Sequence, residues 1–258
     1  MKVIILCAGI GSRLRPYTDK NPKCMVKFLD ESLLQWQIKA LNLNKLNDIT
    51  LIGGYKHEML RSFNCNLIVN HEYEDTNMLY SLLCAKNILK SGEDILISYG
   101  DIIYEPNLIK DFLENKSNIS IAADPEWLKL WSYRFNDPLD DAETFKANDD
   151  EILEIGNKAR NLKDIQAQYR GLIKISSNYI DKFLRFCETY RTEFKDNAFK
   201  NLSMTEFLMY LINKNEKIKA VYYPGGWLEF DNKADLDLYN DMHKNQNLGT
   251  IFKIDELI

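Results

Sequence analysis

Residues 2–13 read KVIILCAGIGSR, an apolar run from Val3 to Cys7 that passes straight into a turn holding Gly9 and Gly11. A short run rich in β-branched residues suits a strand buried on both faces, as in a parallel sheet. Glycines placed directly after such a strand let successive backbone N–H groups converge on one anion, which makes the turn a candidate phosphate cradle. Glycine is otherwise scarce, 11 among 258 residues, and six of them fall in the pairs Gly9/Gly11, Gly53/Gly54 and Gly225/Gly226. The first two pairs follow apolar runs, where α/β folds keep their ligands.

Working outward, strand-like and helix-like segments alternate. Asp48–Ile52, Asn66–Val69, Asp94–Ser98, Asn118–Ala123, Ile165–Ile175, Ile218–Tyr223 and Trp227–Phe230 read as strands. Leu33–Lys45, Met78–Leu89, Pro106–Leu113, the stretch around Tyr179–Tyr190, Met204–Asn213 and a segment from Lys233 read as helices. This order predicts an α/β fold with a mainly parallel sheet flanked by helices on both faces. Residues 124–160 lose the rhythm and read as a cap-like insertion over the sheet end; between Asp137 and Glu154 eight acids face Lys146 alone. No linker or repeat divides the chain, so residues 1–258 are expected to form a single domain.

Charge narrows the partners. The chain has 33 Lys plus Arg against 38 Asp plus Glu, a net −5, which argues against a nucleic acid as ligand. With 45% hydrophobic residues it is not a disordered chain. No uncharged run exceeds ten residues, half of the about 20 that a membrane span needs. The five cysteines are odd in number and never spaced C-x-x-C, which predicts reduced thiols, a cytoplasmic setting and no structural zinc. Yet Lys2, Arg13, Arg15, Lys20, Lys23 and Lys27 face only Asp19 within residues 1–27, a local +5 that leaves −10 for the remainder. A basic opening on an acidic protein points to a small anion held locally. Nothing in the sequence fixes an oligomeric state.

The glycine turn lacks the G-x-x-x-x-G-K-[ST] of a Walker A loop, and Leu14 stands where a dinucleotide fingerprint needs its third glycine. The turn leads instead into a loop fixed by Pro16 and Pro22 that carries Arg13, Arg15 and Lys23. The whole stretch, LCAGIGSRLRPYTDKNPKCMVKF from Leu6 to Phe28, resembles the signature of nucleotidyltransferases that activate sugar 1-phosphates and other small phosphorylated compounds, with Cys7 where alanine is usual. The segment from Val69 to Leu82, then Pro138–Glu143, Ile155–Lys158 and Tyr169–Leu172, are similar to the phosphocholine and phosphonate cytidylyltransferases of that family. The usual Glu-aromatic-Ile-Gly is here Gln168-Tyr169-Arg170-Gly171. The chain as a whole resembles the branch that acts on L-glutamine phosphate in capsule phosphoramidate biosynthesis.

The resemblance implies a Rossmann-like, mainly parallel mixed sheet of the nucleotide-diphospho-sugar transferase type and a Mg²⁺-dependent reaction. In that reaction CMP passes from CTP to a small phosphorylated acceptor and pyrophosphate leaves, with no nucleic acid or membrane involved. It implies Arg13, Lys23 and Asp101 as catalytic residues. The nucleotide would meet Leu6, Ala8, Gly9, Gly11, Ser12, Arg13, Gly54, Tyr55, Asn77, Ser81 and Gly100. Asp101 and Asp231, with Glu229 beside them, would hold the metal, because hard oxygen ligands plus substrate phosphates suit Mg²⁺. Lys23, Arg134, Lys158, Tyr169 and Arg170 would meet the acceptor. Several alternatives stand beside these roles. Asp231 also suits a helix N-cap, Asn77 and Ser81 a helix start, and Gly53-Gly54 a tight turn. Trp127, Trp131 and Tyr133 suit either a cage for a quaternary amine or the apolar underside of the cap. Phosphocholine, 2-aminoethylphosphonate and a sugar 1-phosphate with UTP or dTTP remain open as substrates, as does a nucleotide-binding regulator without turnover.

Overall fold

The structure, a computed structural model, describes residues 1–257; Ile258, the last residue of the expected domain, lies outside them. Strand β1 (Lys2–Cys7) sends Val3, Ile5 and Cys7 into one apolar cluster and Ile4 and Leu6 into another, the alternation of a strand covered on both faces. Val3, Ile4 and Ile5 are fully buried, and each such side chain contributes about 1.5–3 kcal/mol relative to exposure.

The chain continues through a small hairpin, β2 (Lys27–Phe28) and β3 (Glu31–Ser32), into helix α1 (Leu33–Leu43), whose N-cap Ser32 accepts a hydrogen bond from the Gln35 amide. Strands β4 (Ile49–Gly53) and β5 (Asn66–Val69) follow, then the short helices α2 (Met78–Leu83) and α3 (Lys86–Leu89). Next come β6 (Ile95–Tyr99), β7 (Ile102–Tyr104), α4 (Pro106–Glu114), β8 (Ile119–Asp124) and α5 (Trp127–Arg134). Strands β9 (Glu143–Asn148), β10 (Glu151–Lys158) and β11 (Gln168–Ile175) precede α6 (Ile180–Lys200) and α7 (Met204–Asn213). The chain closes with β12 (Lys219–Tyr222), β13 (Trp227–Glu229) and α8 (Lys233–Lys244).

Nine strands form one sheet in the order β5-β4-β1-β6-β11-β8-β12-β10-β9. The pairs β5/β4, β4/β1, β1/β6 and β8/β12 are parallel, whereas β11 runs antiparallel to both of its neighbours and β10 to both of its own. The sheet is therefore mixed but mainly parallel, as the alternation of segments predicts. Helices α1, α4 and α8 supply side chains to one buried face, and α2, α6 and α7 to the other. Among the described residues no helix is long and apolar enough to cross a membrane, and all five cysteines are free thiols.

Two sequence readings change in detail. The helix read over Met78–Leu89 breaks at Cys84–Ala85 into α2 and α3. Residues 124–160 hold helix α5 and a β9–β10 hairpin that extends the main sheet, with Phe145, Ile152 and Ile155 turned into the core. The hairpin turns at Asp149, whose φ of 52° is left-handed. Its period-2 pattern is masked in the sequence by the density of acids.

Packing sets one glycine firmly. A Cβ on Gly54 would lie 2.6 Å from Cβ of Tyr73 and 2.7 Å from the Ala8 carbonyl oxygen. Backbone cannot yield as a side chain can. Gly54→Ala should lower unfolding stability by about 1–3 kcal/mol, read as a shift in the urea midpoint; an unchanged midpoint would show that the contact relaxes freely.

Candidate active site

The carboxyl ends of β1 and β6 frame the site. After Cys7 the chain turns through Gly11, at φ 69°, where a Cβ would lie 2.9 Å from the Lys23 side chain. The loop thus closes on Lys23, and the Thr18 hydroxyl donates to the Gly11 carbonyl at 2.8 Å to hold it. Among the described residues the amides of Gly9, Ile10 and Gly11 have no backbone acceptor, which leaves them for an anion. On the other side, α1 reaches β6: buried Gln37 donates to the Tyr99 carbonyl at 3.0 Å and accepts from the Ser98 hydroxyl at 2.8 Å. That fixes the chain just before Gly100-Asp101.

The last station comes from far along the sequence. β13 pairs antiparallel with β7, setting Glu229 opposite Ile102, and the Phe230 amide donates to the Asp101 carbonyl at 2.9 Å. This register brings Asp231 beside Asp101. Lys23 Nζ donates to Asp101 Oδ2 at 2.6 Å and to Asp231 Oδ1 at 3.1 Å. Arg13 Nη2 also reaches Asp231 Oδ1 at 3.0 Å, while 65% of its side chain stays exposed and free for a ligand. Burial works to discharge the Lys23 ammonium, but Asp101 and then Asp231 outweigh it and raise its pKa. Asp231 is held below the ordinary carboxylate range, since Lys23, Arg13 and Arg134 together overcome its burial.

Two cavities share this centre. One of about 300 Å³ is lined by Leu6, Gly9, Gly11, Ser12 and Gly100; the other, about 360 Å³, runs toward Tyr169, Gln168 and Thr205; Arg13, Lys23, Asp101 and Asp231 line both. Of the expected residues, these two cavities therefore gather Leu6, Gly9, Gly11, Ser12, Arg13, Lys23, Gly100, Asp101, Tyr169, Glu229 and Asp231.

The others lie elsewhere, each for a visible reason. Arg134 is expected at the acceptor, but its buried guanidinium is shared among Glu229 Oε2 at 2.7 Å, Asp231 Oδ2 at 3.1 Å and Asp235 Oδ1 at 3.0 Å. Arg170 is likewise buried, paired with Asp124 at 3.1 Å and bonded to the carbonyls of Tyr223 and Gly225, so it braces the Gly225–Gly226 turn ahead of β13. Lys158 is exposed and lines neither cavity. Asn77 caps α2 through the Met78 amide and also donates to the Asn201 carbonyl. The Ser81 hydroxyl accepts from Asn70 at 3.0 Å. Gly54, Tyr55 and Ala8 serve a turn closure, in which the Tyr55 amide donates to the Ala8 carbonyl at 3.1 Å. The helix-cap and turn alternatives thus describe Asn77 and Gly54. The three aromatics form no cage: Trp127 is buried with its indole on the Ile165 carbonyl, Tyr133 is exposed, and Trp131 alone lines the second cavity. Sequence reading assigns no individual role to Met78, Asp141, Glu143, Gln168, Ser203, Met204 and Thr205, which also line that wall; the first four lie within the family-like segments, whereas Ser203, Met204 and Thr205 carry no such signal.

Asp101 Oδ1 is buried without a hydrogen-bond partner. Among the described residues no group of three or more His, Cys, Asp and Glu is arranged to hold a metal ion. Mg²⁺ asks for less, one or two carboxylates plus phosphate oxygens and water, and Asp101 with Asp231 fits that need.

The domain profile for MobA-like NTP transferases matches residues 3–153. The chain belongs to this family. It is a nucleotidyltransferase by that membership. It is 36% identical to the CTP:phosphoglutamine cytidylyltransferase of Campylobacter jejuni over 92% of this chain and 98% of that protein. Among solved structures it is similar to the CTP:phosphocholine cytidylyltransferase from Streptococcus pneumoniae, with a TM-score of 0.70 at 20% identity over 94% of this chain and 98% of that one. The inositol-1-phosphate CTP transferase from T. maritima also has a TM-score of 0.70, at 17% identity over 98% of this chain and 97% of that one. These two likenesses bear out the Rossmann-like fold class.

Burial first, and then Asp231, push the Glu229 carboxyl up to about 8 against the pull of Arg134. The folded protein then keeps a proton that the unfolded chain releases near the ordinary carboxyl value, so its stability falls as pH rises from about 5 to 8. Glu229→Gln should flatten urea-midpoint profiles across that window, measured with a chelator present, by up to about 1.4 kcal/mol per pH unit. A slope equal to that of the parent protein would refute the assignment.

Proposed function

We propose that this nucleotidyltransferase moves CMP from CTP to a small phosphorylated acceptor, with L-glutamine phosphate the acceptor best supported, giving CDP-L-glutamine and pyrophosphate. The observation that carries the chemistry is the Lys23 ammonium, seated between Asp101 and Asp231 where the two cavities meet. Support for the nucleotide and acceptor comes from the 36% identity that runs through nearly all of both chains. We read residues 1–258 as one catalytic domain, with Trp131, Asp141 and Glu143 of the 124–160 stretch lining the acceptor end. We assign it to a reducing, cytoplasmic setting on its unpaired cysteines.

In this reading an acceptor phosphate oxygen attacks the α-phosphorus of CTP in line. One P–O bond forms as the bond to the β-phosphate oxygen breaks, and pyrophosphate departs. The attacking oxygen is already ionised near neutral pH, so the site needs no general base; what it needs is alignment and charge neutralisation. Lys23 faces both cavities and so meets the α-phosphate and the incoming phosphate together. Arg13 offers its exposed guanidinium edge to the departing oxygens. The free amides of Gly9, Ile10 and Gly11 receive phosphate oxygens along the loop. Asp101 and Asp231 would hold Mg²⁺, which when bound supplies further charge neutralisation on the phosphates.

Lys23→Ala should lower turnover by about 10²–10³ with the far-UV circular dichroism spectrum preserved; near-parental rates would remove Lys23 from the mechanism. A matrix of CTP, UTP and dTTP against L-glutamine phosphate, phosphocholine, 2-aminoethylphosphonate and glucose 1-phosphate, read by pyrophosphate release and product mass, tests the substrates. CTP with L-glutamine phosphate should lead it. A preference for dTTP or UTP with the sugar phosphate would move the protein to sugar activation, and no release in any cell of the matrix would favour a regulator.

A further inference from the structure

The second cavity extends beyond Lys23 to a wall that the transfer chemistry leaves unused. Asp141 and Glu143 stand on it, on either side of buried Ala142. Among the described residues no Lys or Arg pairs with Glu143; burial, reinforced by the negative charges of Asp141 and Glu206, pushes its carboxyl up to about 7. Lys158 stands opposite Glu143 in the β9–β10 ladder but is exposed and forms no ion pair with it, and the other neighbouring cations are committed elsewhere: Lys146 to Glu154 and Asp164, Arg134 to Glu229, Asp231 and Asp235, and Arg170 to Asp124. On the same wall Trp131 is only 3% exposed, yet its indole N–H has no acceptor, while the Tyr169 hydroxyl faces that of Tyr99.

Buried polar groups are ordinarily satisfied, and a half-buried carboxylate without a cation is costly. A wall with unmatched acids and an unmatched donor is complementary to a ligand that brings a cation together with an oxygen acceptor. Sugar hydroxyls would meet the donor but leave the acids uncompensated. A carboxylate alone would be repelled.

We propose that Glu143, flanked by Asp141, seats an ammonium group of the acceptor at the end remote from its phosphate, so that the site selects phosphorylated amino compounds over sugar phosphates. An oxygen beside that amine takes the Trp131 donor. The assignment deepens the cytidylyltransferase reading and rests on it.

The test compares the parent protein with Glu143→Gln and Glu143→Asp in steady-state pyrophosphate release. The acceptors are L-glutamine phosphate, its Nα-acetyl derivative, phosphocholine and glucose 1-phosphate. Glu143→Gln should raise KM for the amine-bearing acceptors at least tenfold, keep KM for CTP within about twofold, and leave KM for the acetylated acceptor unmoved. Glu143→Asp should recover part of the loss. An equal rise for acetylated and free-amine acceptors, or no rise at all, overturns the ammonium seat. If the parent protein uses phosphocholine rather than L-glutamine phosphate, the acceptor named above falls while the seat is still judged by the KM shift on phosphocholine. Use of glucose 1-phosphate in preference to every amine overturns the selectivity. Calorimetric titration of the same acceptors into parent and Glu143→Gln protein gives a readout independent of turnover, and equal affinities for the amines would count against the seat.

Discussion

The contact of the Lys23 ammonium with both Asp101 and Asp231 is the constraint on which the site depends. It joins a loop after β1, a turn after β6 and the end of β13, which are separated by up to 208 residues of chain. No local propensity brings such groups together. The β7–β13 register does, by setting Glu229 opposite Ile102 and the Phe230 amide on the Asp101 carbonyl. A slip of one residue would turn Glu229 and Asp231 to the other face and leave Lys23 with a single partner.

Around that contact the two wholly covered arginines are each matched by carboxylate. Arg134 is wholly covered, and three carboxylates hold its fork. Arg170 is wholly covered, and Asp124 with two backbone carbonyls holds it. Removing one partner from such a set strands the other in a poor solvent, which is why these networks are more rigid than any one bond in them. Their placement is informative. One braces the turn before β13 and the other grips the acids after it, so the strand that carries Glu229 is fixed from both ends.

The sequence carries much of this and hides a definite part. The fold class is legible because β1, β4, β6 and β8 are short apolar runs separated by amphipathic segments, and the cradle is legible because glycine is rare elsewhere. Arg13, Lys23 and Asp101 lie in motifs whose chemistry is local. Arg134 and Arg170 are hard to place for one reason: an arginine at a site-like position looks the same in sequence whether it serves a ligand or a buried carboxylate, and their carboxylate partners are 95 and 46 residues away. Asn77 and Ser81 are ambiguous in sequence, since a side chain that caps a helix and one that binds a base share the same polar groups. The wall with Asp141 and Glu143 is obscured because an acid-rich run also describes a solvated loop; what singles out Glu143 is its place on a cavity wall with no cation paired to it, a three-dimensional fact.

The net charge of −5 acquires a sharper meaning once the site is assembled. In its centre Lys23 and Arg13 are set against Asp101 and Asp231, so those four charges nearly cancel in the bare site. A nucleoside triphosphate adds about four negative charges, and a phosphorylated acceptor adds more, in a space whose low polarisability strengthens their repulsion. Two cationic side chains and three free amides cannot balance that load alone. The orphaned Asp101 oxygen, directed to no protein donor, is what such a site needs if a divalent cation is to arrive with the nucleotide and be held on the protein side by carboxylate. The acids after β6 and β13 pair with Lys23 and Arg13 in the bare site, and on the proposed function the same carboxylates would hold a divalent cation once substrate phosphates draw those two side chains toward themselves.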